Sequence, residues 1–79
     1  MTGIKERGQF TLANGQTLAD GINTDAATLA RFSGLSEQAV AGVLAGKTST
    51  WVRCAKVTRA LSALGASDAS EDAISRKET

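Results

Sequence analysis

Lys47, Thr48, Ser49, Thr50 and Arg53 gather two cations and three hydroxyls into one short stretch of the chain. Ammonium and guanidinium groups, hydroxyls and the first backbone amides of a following helix are the groups that hold phosphate oxygens. Arg31 and Lys56 are further candidates for the same role. Each cation taken singly also reads as a solvated surface charge, so the clustering carries the argument. From Arg31 to Arg59 the charged residues are Arg31, Glu37, Lys47, Arg53, Lys56 and Arg59, a basic run broken only by Glu37. Beyond Leu64 the balance reverses, with Asp68, Glu71, Asp72 and Glu78 against Arg76 and Lys77. A formal net charge of +1 thus conceals a basic middle and an acidic end.

The residue types argue against catalysis. Histidine is absent and Cys54 is the single cysteine, so a thiol–imidazole pair, an internal disulfide and a multi-cysteine zinc site are all excluded. No carboxylate pair or phosphate-cradling glycine loop stands out, and Lys47 beside Ser49 reads as part of a phosphate-binding loop rather than a nucleophile pair. Cys54 reads as a small buried apolar side chain, consistent with a reducing compartment. No enzyme activity, metal or cofactor is expected.

The elements that must position the basic stretch are short helices. At 79 residues, 42% apolar and 22% charged, without proline, the composition is that of one small helical domain. No apolar run approaches a bilayer span, and residues 1–7 lack the apolar stretch of a signal peptide; a cytoplasmic protein without membrane contact is expected. Asn14-Gly15 between Phe10-Thr11-Leu12 and Gln16-Thr17-Leu18 predicts a tight β-hairpin, the competing reading being a helix through Leu18 and Ile22. Thr24 is a candidate cap for a helix over about 25–33, ended by Gly34. Ser36 caps a second helix running to about Ala45, where Gly46 stops it. A third is predicted over about 50–64, with Val57, Leu61 and Leu64 on one stripe and Ala60 beside it. Trp51, Val52 and Ala55 form a second apolar face near its start. That face predicts packing against the hairpin or a second copy, with Phe32 joining the same patch; the lesser reading for Trp51 is contact with a sugar or a base of a phosphate-bearing ligand. Leu29, Ala30, Leu35, Val40 and Val43 are the core positions that two crossed helices meeting at Gly34 require.

The stretch Thr28-Leu29-Ala30-Arg31-Phe32-Ser33-Gly34-Leu35-Ser36-Glu37-Gln38-Ala39-Val40-Ala41-Gly42-Val43-Leu44-Ala45-Gly46-Lys47 resembles the DNA-binding headpiece of lactose-repressor-type regulators. Ser33, Leu35, Ala39, Ala41 and Ala45 are mild departures from it. Lys56-Val57-Thr58-Arg59-Ala60-Leu61-Ser62-Ala63-Leu64-Gly65 is similar to that family's closing helix, after a loop one residue shorter. Phage Cro-like and immunity-repressor headpieces share the unit. The resemblance implies a mainly α, three-helix helix-turn-helix domain of the lambda-repressor-like kind, with a short N-terminal β-hairpin or extended arm. The domain would divide into an arm over 1–23, a DNA-binding core over 24–66 and a polar, partly disordered tail over 67–79.

By the family's pattern, Ser36, Glu37, Gln38, Ala41 and Gly42 approach the base edges. Gln38 can pair bidentately with adenine, Glu37 can accept from cytosine and Ala41 can meet a thymine methyl, while Gly42 stands where the family commonly has arginine. Base discrimination is then modest, and DNA shape or an N-terminal segment in a second groove would compensate. The family's effector domain has no counterpart here, so no small-molecule response is implied. These readings converge on a small phage or bacterial transcriptional regulator, a repressor by analogy, bound as a homodimer to a two-fold double-stranded DNA operator. The alternative is a helical protein-interaction module on the same scaffold, such as an antirepressor or recombination accessory factor.

Overall fold

The computed structural model describes residues 9–76. Residues 1–8 of the expected arm and 77–79 of the expected tail lie outside the described residues. The order of elements is strand β1 (Phe10–Leu12), helices α1 (Gly15–Gly21), α2 (Ala26–Ser33), α3 (Glu37–Leu44) and α4 (Trp51–Ala63), a 3-10 turn (Glu71–Ala73) and strand β2 (Ile74–Arg76). The fold is mainly helical, with one small antiparallel sheet.

Each of the longer helices begins on a side chain suited to the task. Asp25 accepts from the Thr28 amide at 2.9 Å, Ser36 from Ala39 at 3.1 Å and Thr50 from Arg53 at 3.1 Å. Each satisfies one of the amides that a helix start leaves without an intrahelical partner. The first of these corrects the sequence reading, which assigned the cap to Thr24. Asp25 has the extended backbone of a cap residue, and the Thr24 hydroxyl oxygen is buried without a hydrogen bond among the described residues.

The predicted hairpin at Asn14-Gly15 does not form. β1 pairs instead with β2 from the far end of the chain, in the register Phe10↔Arg76, Thr11↔Ser75 and Leu12↔Ile74. An isolated two-stranded hairpin is marginal in water, whereas a strand laid over a helical core gains burial for Phe10 and Leu12. Released from strand pairing, 15–21 turns into helix and buries Ala19 completely. Gly15 serves close approach: a Cβ there would stand 3.1 Å from Leu12 Cδ2 and 3.2 Å from Leu44 Cδ2.

The core gathers Leu12 from β1, Ala19 from α1, Leu29 from α2, Val40 and Val43 from α3, and Cys54, Val57 and Leu61 from α4, with Leu35 and Trp51 packed at its edge. Because Phe10, Leu12 and Ala19 belong to it, the segment expected as an arm is, from Phe10 onward, part of the same core. The expected tail is also anchored, through β2 and through Ala69 and Ala73, which pack against the core. The second apolar face predicted on α4 divides: Ala55 is buried, Trp51 half-buried and Val52 exposed. Among the described residues no helix is long and apolar enough to cross a membrane.

Candidate nucleic-acid interface

α2 and α3 meet through Gly34, whose φ of 79° is left-handed and costs a residue with a Cβ more than it costs glycine. The Gly34 amide donates to the Ala30 carbonyl at 2.9 Å, and the next amide, Leu35, donates to the Ser33 hydroxyl at 3.2 Å. Ser36 then opens α3, so the turn is fixed residue by residue.

The two sides of α3 differ sharply. Val40, Val43 and Leu44 are buried, whereas Ser36, Glu37, Gln38 and Ala41 are exposed and Gly42 is half-buried. The residues expected at base edges are therefore brought together on the outer side of one helix and its cap. Glu37, in the first turn, also suits the positive helix end. The Ser36 oxygen is engaged by the Ala39 amide, while the hydroxyl can still donate its proton.

The C-terminal end of α3 fixes where the basic loop begins. Gly46 takes φ 85°, and the amides of Gly46 and Lys47 donate to the carbonyls of Val43 and Gly42 at 3.1 and 2.9 Å. This 5→2 and 6→1 pairing closes the helix and leaves the Lys47 side chain exposed directly after it. Thr48 is exposed; Ser49 and Thr50 are half-buried. Ser49 has both backbone groups bonded to Phe10, so its hydroxyl is what it offers to a ligand. Arg53 offers an exposed guanidinium, its amide being bonded to Thr50 Oγ1. Arg31, in the last turn of α2, and Lys56, on α4, are exposed as well.

Among the described residues two titratable groups are displaced from their ordinary values. The Thr28 backbone and side-chain hydrogen bonds hold the Asp25 carboxyl low. Burial pushes the Cys54 thiol up, away from the reactive thiolate, in keeping with a packing role.

One surface grouping escaped the sequence reading. Phe32 is 59% exposed and lies in a depression with Ser33, Lys56, Arg59, Ala60 and Ala63. The signal was present in the spacing: Val52, Lys56, Arg59 and Ala63 stand at i, i+4, i+7 and i+11, one stripe of α4 opposite its buried residues. Arg59, which the sequence counted only as charge, pairs with Glu71 at 3.3 Å. Comparison with protein-family models, curated proteins and solved structures gives no match to this chain.

Proposed function

We propose that this chain is a DNA-binding regulator without catalytic activity, in which α2, the Gly34 turn and α3 act as a helix-turn-helix unit. α3 would enter the major groove of double-stranded DNA, reading bases with Gln38, Glu37 and Ala41, while Lys47, Thr48 and Arg53 hold phosphates on its flank. The observation that carries the reading is the pairing of a capped helix, apolar inside and polar outside, with a cationic loop starting at its end. A single unit of this size buries little DNA surface, so two copies on a two-fold site supply the affinity. A bacterial or phage repressor working in the cytoplasm is the role that fits.

Selection of bound sequences from a random duplex pool, with the mass of the free and bound protein measured in solution, tests this directly. The expected result is an enriched two-fold site occupied by two copies, with affinity falling as salt rises. Absence of enrichment, or binding indifferent to salt, would overturn it. A protein-interaction module on the same scaffold is the competing reading, favoured by the lack of a cation on the outer side of α3. If Gln38→Ala and Lys47→Ala leave DNA affinity and repression unchanged, that reading prevails.

A further inference from the structure

We infer that the depression between α2 and α4, centred on Phe32, docks an acidic peptide segment carrying one bulky apolar side chain. The site is distinct from the outer side of α3 and does not depend on the DNA-binding reading. A small domain has few large apolar side chains to spend, yet Phe32 remains 59% exposed and Val52, on the same stripe of α4, 41% exposed. Ala60 and Ala63 keep the floor low where longer residues would fill it. The depression measures about 180 Å³, below the range of small-molecule sites, which leaves room for a single inserted side chain.

Charge selects the partner. Lys56 and Arg59 flank the apolar floor, and among the described residues no acidic one lines it. Arg59 already takes a carboxylate: Nε donates to Glu71 Oε2 at 3.3 Å, with the two side chains 74% and 40% exposed. An exposed pair of that kind is weak and yields to a better-placed carboxylate. An apolar side chain on Phe32, flanked by carboxylates on Lys56 and Arg59, matches the helix-in-groove or extended modes by which peptides are recognised. A single nucleic-acid strand stacked on Phe32 would also use cations and an aromatic ring, but it would leave the alanine floor unused.

The test is a selection from a displayed random twelve-residue peptide library against the full chain without DNA, followed by amide chemical-shift mapping of an enriched peptide. The expected peptides carry one bulky apolar residue flanked by carboxylates, and the shifts centre on Phe32, Lys56, Arg59 and Ala63. Phe32→Ser and Arg59→Glu, both at exposed positions, should each weaken binding at least tenfold while the unfolding midpoint stays close to wild type. No enrichment, enrichment without acidic residues, or shifts centred elsewhere would overturn the proposal. So would an oligothymidylate strand that displaces the peptide from Phe32 and binds there more tightly.

Discussion

Phe10 and Ser49 exchange both of their backbone hydrogen bonds at 2.8 Å, so the first strand clamps the loop that connects α3 to α4. The loop expected to hold phosphates is thus held from the N-terminal side by a residue 8% exposed. Truncating the Phe10 side chain removes the packing that seats this clamp. Phe10→Ala should cost about 3–5 kcal/mol, a large share of the ~5–15 kcal/mol typical of a domain. Urea unfolding measures the loss, and hydrogen exchange at the Ser49 amide should accelerate in any fraction that remains folded.

Two glycines should respond to alanine with opposite sign. At both Gly34 and Gly42 an added Cβ would meet no atom within 4 Å, so backbone conformation alone decides. Gly34 sits at φ 79°, and Gly34→Ala should lose roughly 1–2 kcal/mol. Gly42 is inside α3, and Gly42→Ala should gain roughly 0.5–1 kcal/mol. Thermal unfolding of the pair provides the check; equal effects would mean that the turn is not held in the left-handed region.

The proposed DNA contacts separate by their salt dependence. Lys47→Ala and Arg53→Ala should weaken binding to all duplexes and each lower the slope of log affinity against log salt by about 1. Gln38→Ala should leave that slope unchanged, cost about 1–3 kcal/mol on the selected site and relax the preference at one base pair. Titrations at several salt concentrations distinguish the two patterns.

Acid sensitivity should trace in part to Asp25. Its carboxyl is held below the ordinary 3.8 by the bond to Thr28, so the folded value lies under the unfolded one. The stabilisation is therefore fully present above the unfolded value and is lost as pH falls through the folded one. Asp25→Asn keeps a capping oxygen but cannot ionise, so its stability relative to wild type should rise as pH drops below about 4. Unfolding midpoints measured from about pH 6 to about pH 2.5 would show whether the difference changes in that window.

Cys54 is fully buried and its thiol is pushed up by burial. Ellman's reagent should leave the native protein unmodified and react at the rate at which the chain unfolds, rising with urea. Rapid stoichiometric reaction in buffer alone would contradict the packing.

The helices beyond Thr24 were legible because their signals are local. A side-chain oxygen before Glu37 and Trp51, a glycine after Ser33 and Ala45, and apolar residues at helical spacing require only the chain's own neighbours. The core residues Leu29, Val40, Val43, Val57 and Leu61 follow from the same periodicity. The polar outer side of α3 follows by subtraction.

The hairpin expected at 10–18 was misread because the partners of its first strand are distant, and 15–21 follows the competing helical reading. Asn14-Gly15 carries the chemistry of a hairpin turn, yet β1 finds its ladder in Ile74–Arg76 and Ser49, and Gly15 is set by its approach to Leu12 and Leu44. No local pattern announces a pairing across the length of the chain. In the same way the spacing of Val52, Lys56, Arg59 and Ala63 defines a stripe, but only packing against α2 sets Phe32 beside it. The sequence by itself determined which residues beyond Thr24 enter helices and which side of α2 and α3 turns inward, since both rest on neighbours three or four residues apart. The tertiary structure alone decided how β1 and β2 meet and what lies beside each exposed side, because those contacts depend on where separate elements come to rest.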